Sequence, residues 1–281
     1  MPVGYVALLD VLGFSSLVSS DGDGRRLESY LECLQNALRI DASRPQVDFV
    51  VFSDSIVLTT SEDSEGSLPA LLLGSSRVLG LMLAAGIPVR GAIAYGSYSR
   101  RAVSSSVFVA GKAIIDAYRF EMAQDWVGIM LAPSAVERVP RLAELCSIGV
   151  GFPSVEELVA LGGRVQWAAF VQPCHRIPFH SIRPAEEYEF DGYAIVPSNG
   201  DTAARALRDS LTQSLKSLNW LKSLAPDPSA QAKYNSSHNW LYTIQQRWSE
   251  IVSWHERYVS EGKIDSQPAR ERSLAPPSAS S

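Results

Sequence analysis

Residues 4–10 form a short apolar run, Gly-Tyr-Val-Ala-Leu-Leu-Asp, that stops on an acid. The pattern predicts a buried strand ending at Asp10. A polar loop at 19–24 follows. Between Arg25 and Leu38, apolar residues fall at 27, 30, 31, 34 and 38, which is helical spacing. The β-branched runs Val47–Phe52 and Ile56–Thr60 are split by Ser53, Asp54 and Ser55. They predict a hairpin with Asp54 near its tip. A helix is expected over Leu68–Ala85, stopped by Gly86, Ile87 and Pro88. Val89–Tyr98 reads as a strand carrying Gly91 and Gly96, Gly111–Gln124 as a helix, and Val127–Leu131 as a strand.

The order over residues 4–131 is β-α-β-β-α-β, then α-β. The first six elements are the ferredoxin-like, split βαβ arrangement of an α+β protein. Two helices would cover one face of an antiparallel sheet, so the other face must be covered or used. Farther along, Val155–Leu161 reads as a helix, and Arg164–Val171 and Tyr188–Val196 as strands. Thr202–Leu224 and Ala230–Val259 read as helices around a break at Ala225–Pro228. The expected division is a first unit at 1–140 and an α/β to mainly helical extension at 141–262, packed on the first. A low-complexity, disordered tail at 263–281 would follow.

Composition narrows the class. The chain has 281 residues, 46% hydrophobic and 20% charged, which is globular. Its 25 Lys+Arg against 30 Asp+Glu give net −5, which argues against a nucleic-acid coat. Three cysteines, Cys33, Cys146 and Cys174, stand far apart with no Cys-x-x-Cys. That spacing disfavours a disulfide scaffold and fits a reducing cytoplasm. The first ten residues have no basic segment and place Asp10 in the apolar run, unlike a secretory signal. Leu68–Val89 could mimic a membrane span, but it carries Pro69, Ser75, Ser76, Arg77 and Gly86. A central Arg is costly in lipid. A buried helix is the expectation, in a soluble protein with no stable membrane insertion.

Asp10 at a strand end and Asp54 at a neighbouring turn would converge at one edge of the sheet. Hard divalent cations take carboxylate oxygens, and Mg²⁺ sites commonly join one or two carboxylates to substrate phosphates. Gly13 follows just before a helix and lets backbone amides approach phosphate. Other motifs carry less. Gly111-Lys112 lacks the remaining glycine and the hydroxyl residue of a phosphate loop. Asp21-Gly22-Asp23-Gly24 lacks the later ligands of a calcium loop. Cys174, His175 and His180 match no metal-site spacing. Trp240, Trp248 and Trp254 read as a packing face.

Four stretches resemble class III nucleotide cyclases. Asp10-Val11-Leu12-Gly13-Phe14-Ser15 is similar to their Asp-x-x-Gly-Phe-[Ser/Thr] opening, and Phe52-Ser53-Asp54-Ser55 to their second metal aspartate. Arg90-Gly91-Ala92-Ile93-Ala94-Tyr95-Gly96 is similar to their Arg-x-Gly-Ile-x-x-Gly strand. Val109–Glu121 is similar to their Gly-x-Asn-x-Ala-x-Arg-x-Glu helix. The resemblance spans residues 4–131 in the right order.

The resemblance implies a homodimer with composite active sites and two divalent ions, Mn²⁺ or Mg²⁺, per site. Asp10 and Asp54 would ligate the ions, with the Val11 carbonyl as a third ligand. Arg119 matches the transition-state arginine. The family's Asn is replaced by Ile115, and Asp116 beside it is the second catalytic candidate. The residues that read adenine elsewhere in the family are Val50 and Phe108 here, so ATP is disfavoured. These departures resemble Pycsar-type bacterial pyrimidine cyclases, which make cyclic UMP or cyclic CMP as an antiphage signal.

On that basis Phe52 is the aromatic candidate for the base and Arg90 the arginine candidate, with Arg100 in reserve. Phe14 and Lys112 complete the substrate-binding set. An arginine donor suits the O4 acceptor of uracil, so UTP is favoured over CTP. A palm-like nucleotidyltransferase and a catalytically inactive nucleotide-binding protein are the alternatives. On the expected helix, Lys112, Asp116 and Arg119 share one face, while Ile114, Tyr118 and Met122 are expected to face the core.

Overall fold

The computed structural model describes residues 2–19, 21–38, 47–64, 66–103, 106–139, 142, 155–180 and 187–263. Cys146 and the expected tail beyond Lys263 lie outside these residues. The strands are β1 (Val3–Val11), β2 (Val47–Phe52), β3 (Ser55–Thr60), β4 (Val89–Val103), β5 (Ser106–Gly111), β6 (Gly128–Leu131), β7 (Val171–His180) and β8 (Glu187–Ile195). The helices are α1 (Phe14–Ser19), α2 (Arg25–Ala37), α3 (Ser67–Ala84), α4 (Lys112–Ala123), α5 (Pro133–Glu137), α6 (Val155–Ala160), α7 (Ala204–Leu224) and α8 (Pro228–Ser260).

Among the described residues, the strands form one mixed sheet in the order β2-β3-β1-β4-β6-β8-β7, with β5 paired to β4. The β2-β3-β1-β4 half is antiparallel and has the split βαβ order; β6 then joins β4 in parallel. The fold is α+β, with a helical C-terminal part.

β1 explains why its sequence is apolar without alternation. Tyr5, Ala7, Leu9 and Val11 join the main core with α2 and α3. Val6 and Leu8, on the opposite face, pack in the smaller clusters that hold Ala113 and Ala117 of α4. A strand buried on both faces reads as a continuous apolar run. Asp10 continues the α4-side series at the point where apolar cover ends.

Among the described residues, α3 is the one helix long and apolar enough to cross a membrane by length and composition, and 61% of its window is buried inside the protein. One of its buried polar residues ties it to the strand side: the Ser76 hydroxyl donates to the Val196 carbonyl oxygen at 2.6 Å and lies 2.7 Å from the Ser198 hydroxyl. Gly80 permits this approach, since a Cβ there would stand 2.0 Å from the Ser198 carbonyl oxygen.

Three expectations are corrected. The strand expected to end at Tyr98 continues to Val103 and returns as β5, making a projecting hairpin. Residues 164–171 are not a strand. Arg164 makes a single bridge to Ala203, and Trp167–Phe170 is a 3-10 turn. β7 starts only at Val171 and was hidden by Pro173 and Pro178. It is the last strand of the sheet, bridged on its outer side only at Phe179 among the described residues, and a missing N–H is tolerated at such an edge. Third, the buried line of α4 is Ala113, Ala117 and Glu121. Tyr118 and Met122 are exposed, and Ile114 is only half-buried. Small alanines let the helix sit close to the sheet, so its larger apolar residues turn outward.

Candidate active site

Asp10 pairs in register with Ser55 of β3 and Arg90 of β4, and Ser55 pairs with Phe52 of β2. Residues directly opposite share a sheet face. Phe52, Ser55, Asp10 and Arg90 therefore form one row on the α4 side. Asp54 sits in the β2–β3 turn, made by Ser53 in the left-handed region at φ 57°. Two hydrogen bonds hold this turn. The Val11 N–H donates to the Asp54 carbonyl oxygen at 3.0 Å, and the Tyr30 hydroxyl donates to the Ser53 carbonyl oxygen at 2.9 Å. Tyr30 comes from α2 and is buried, with Phe14 packed edge-on against its ring at 5.2 Å. Gly13, at φ 73°, turns the chain from β1 into α1.

The electrostatics place the two acids in one field. Burial pushes the Asp10 carboxyl above its usual range, the Asp54 charge pushes it further, and Arg90 opposes both. Burial, then Asp54 and Asp10, push the Tyr30 hydroxyl up to about 12. The nearby Glu121 is 2% exposed. Its carboxyl is raised by burial, against the charge and hydrogen bond of Arg90.

Arg90 is the centre of a closed network. Its Nε donates to Glu121 Oε1 at 2.6 Å and its Nη1 to the Gln124 carbonyl oxygen at 2.9 Å. The Gln124 amide donates to the Gly91 and Phe120 carbonyl oxygens and accepts from Trp126 Nε1 at 2.8 Å. The guanidinium proposed for a base is thus held by Glu121 and by backbone.

The fit to a divalent cation can be judged from the donors. Asp10 and Asp54 are half-buried carboxylates whose mutual repulsion a cation would relieve. No group of three or more His, Cys, Asp or Glu side chains is arranged for a metal ion among the described residues. Two carboxylates, backbone and substrate oxygens are what a Mg²⁺-type site uses, so the residues fit. Cys174 is buried, while His175 and His180 lie 3.5 Å from Asp191 and Asp125 respectively.

The remaining candidates divide. Phe52 is 79% exposed beside the acids, and Val11 is buried beneath them. Phe14 packs on the core margin. Arg100 lies ten residues beyond Arg90, roughly 33 Å along a straight strand, and pairs with Asp48 at 3.4 Å. Lys112 and Asp116 form an ion pair on α4. Arg119 is exposed and lies about 200° around the helix from Glu121. Arg100, Lys112 and Arg119 are thus not gathered around Asp10 of the same chain. Tyr30, Gln124 and the role of Glu121 were not identified from sequence. The helical spacing of Tyr30 and Leu34 marked burial, but not the hydroxyl's partner.

No protein-family model and no curated protein matches the chain. Solved structures similar to it include the guanylate cyclase domain of RhGC from Catenaria anguillulae in complex with GTP. That domain is 14% identical, over 70% of this chain and 97% of that one, with a TM-score of 0.44. The non-canonical dimeric guanylyl cyclase domain of the RhoGC fusion protein from Blastocladiella emersonii is 12% identical, over 70% and 97%, with a TM-score of 0.45. The adenylyl cyclase CyaB from P. aeruginosa is 11% identical, over 71% and 96%, with a TM-score of 0.43. These neighbours are nucleotide cyclases.

Proposed function

We propose that the chain is a metal-dependent nucleotide cyclase that converts a pyrimidine nucleoside triphosphate, UTP or CTP, into its 3′,5′-cyclic monophosphate and pyrophosphate. The observation that carries this reading is that Asp10 ends β1 beside the turn that carries Asp54, near enough for the Asp54 charge to raise the Asp10 carboxyl. In the reaction the ribose 3′-oxygen bonds to the α-phosphorus. The bond to the β-phosphate's bridging oxygen breaks, pyrophosphate leaves, and the 3′-hydroxyl proton passes to solvent.

Asp10 and Asp54, with the Val11 carbonyl, would hold two Mn²⁺ or Mg²⁺ ions. The bound ions supply charge neutralisation at the triphosphate and acidify the 3′-hydroxyl. Phe52 offers a ring face to the base. Val50 and Phe108, apolar at the positions discussed above, leave no charged group for an adenine amino group.

Arg119, Asp116 and Lys112 would act from a second copy, on the triphosphate of the first. A charged residue turned away from its own Asp10 supports that arrangement. So do Ile115, Tyr118 and Met122, which share one face of α4 and are each more than half exposed. Exposed apolar surface of this kind marks an association face, and self-association is most often two-fold. In this reading residues 1–140 form the catalytic unit, and 141–262 extend its sheet and helical cover. The protein works in the cytoplasm, and its cyclic product signals in antiphage defence.

The test is mass spectrometry of products after incubation with each of the four ribonucleoside triphosphates and Mn²⁺. Cyclic UMP as main product supports the reading, and cyclic CMP moves the specificity by one exocyclic group. ATP cyclised while UTP and CTP stay linear would overturn the pyrimidine assignment. The exposed Ile115 in place of an amide favours a second reading, nucleotide binding without turnover. Triphosphate binding with no product from any of the four would establish that alternative.

A further inference from the structure

A cleft of about 530 Å³ lies at the far edge of the sheet, between β7 and α8. It is four strands from β1, roughly 19 Å at normal strand spacing. Its size is within the range of small-molecule sites. Gln172, His175, Arg176, Asn239, Trp240 and Arg247 line it, and no carboxylate among the described residues does.

The strand is shaped at this point. The pairing of β7 with β8 shifts register between Cys174 and Ile177, and Arg176 there has φ 55°, left-handed for a residue with a side chain. A bulge re-aims side chains, and such backbone strain concentrates at functional sites. The Arg176 N–H is fixed by Asp191 Oδ1 at 2.9 Å. The Trp240 indole N–H ties α8 to the strand through the Pro173 carbonyl oxygen at 2.9 Å. Gln172 is 1% exposed, and its Nε2 donates to the Val171 carbonyl oxygen. Its Oε1 is buried with no hydrogen-bond partner among the described residues. A buried acceptor left unmatched is costly unless a ligand or water completes it.

We propose that this cleft binds a phosphate-bearing small molecule. Arg176 and Arg247 supply the planar forks that suit phosphate oxygens. His175 and Asn239 add polar contacts, and the Gln172 Oε1 accepts from a hydroxyl or amino group of the ligand. Glu189, 3.7 Å from Arg176, and Asp191, 3.5 Å from His175, stand on the neighbouring strand. These pairs are solvent-exposed, so water and salt screen them. Binding here does not depend on the cyclase reading. A route to the candidate active site exists in the β7–β8 ribbon. Phe179 and Phe190 pack on Phe120, between Arg119 and Glu121, with centroids 4.9 and 5.3 Å away.

The test is calorimetric titration of the full chain in EDTA, which keeps the Asp10–Asp54 site free of cations, with inorganic phosphate and with uridine monophosphate as probes. Saturable binding of either probe is expected, weakened about tenfold or more in the Arg176→Gln/Arg247→Gln variant. Asp10→Ala/Asp54→Ala should leave it unchanged. Equal affinity for the two probes identifies free phosphate as the ligand chemistry, and tighter uridine monophosphate identifies a nucleotide. Hydrogen exchange on the unaltered chain should show ligand protection at 172–177 and 236–247, a readout that needs no variant to fold. No binding of either probe up to about 10 mM, or protection confined to residues around Asp10, overturns the proposal.

Discussion

The Tyr30 hydroxyl donates to the Ser53 carbonyl oxygen at 2.9 Å, joining helix α2 to the turn that carries Asp54. Ser53 is in a backbone region that a serine leaves unless held. Tyr30 therefore acts as a positioning residue for Asp54. Tyr30→Phe keeps the ring against Phe14 and removes only the tether. We expect a stability loss of about 1 kcal/mol and Mn²⁺ binding weaker by roughly tenfold, read by paramagnetic resonance of free Mn²⁺. Unchanged Mn²⁺ affinity would show that the Val11–Asp54 hydrogen bond suffices.

The same hydroxyl predicts alkaline behaviour. Burial and the two nearby carboxylates push it up to about 12, above the ordinary tyrosine value of 10.0. The folded state keeps the proton that the unfolded state releases. The contribution is fully present below pH 10 and is lost as pH rises through 12. Urea midpoints measured over that interval should fall more steeply for the unaltered chain than for Tyr30→Phe.

Asp10 predicts a conflict between stability and function. Burial and the Asp54 charge raise its carboxyl, so it contributes stability at low pH that is lost as pH rises through its folded value. Once ionised, and without a cation, the Asp10 carboxylate is therefore a liability. Asp10→Asn should raise the melting temperature of the metal-free protein, by about 1 kcal/mol in free energy, while removing Mn²⁺ binding. A lower melting temperature would mean that Asp10 makes stabilising contacts outweighing the repulsion.

The sequence made part of this site legible. Asp10 ends an apolar run and Asp54 interrupts two β-branched runs, so local pattern locates them, and the β-α-β-β-α-β element order puts their strands side by side. What stayed hidden depended on partners remote in sequence. Arg90 and Glu121 are 31 residues apart, and no periodicity joins them. The strand β7 was masked by Pro173 and Pro178, which break the strand pattern yet are tolerated at a sheet edge. On α4, side-chain size misled, since close packing selected Ala113 and Ala117 rather than Tyr118 and Met122 for the interior.

Arg90 and Glu121 form an ion pair with side chains 13% and 2% exposed. Breaking one partner leaves the other charge without compensation. Glu121→Gln is expected to cost roughly 3–5 kcal/mol. Arg90→Met/Glu121→Leu should recover most of that stability, because the desolvation cost disappears with both charges. Thermal unfolding of the three proteins decides the matter. A double variant as unstable as the single would assign the loss to packing rather than charge.

Gly80 tests the assignment of α3 to the core. A methyl group at this position would meet the Ser198 carbonyl oxygen at 2.0 Å and the Ser198 nitrogen at 2.7 Å. Backbone must move to admit it, and overpacking of this kind costs about 1–3 kcal/mol or more. On an exposed helix the same change would stabilise by up to about 1 kcal/mol, because alanine is the better helix former. Gly80→Ala thus has opposite signs in the two cases. A lowered urea midpoint is the expected result, and a raised one would remove α3 from contact with Ser198.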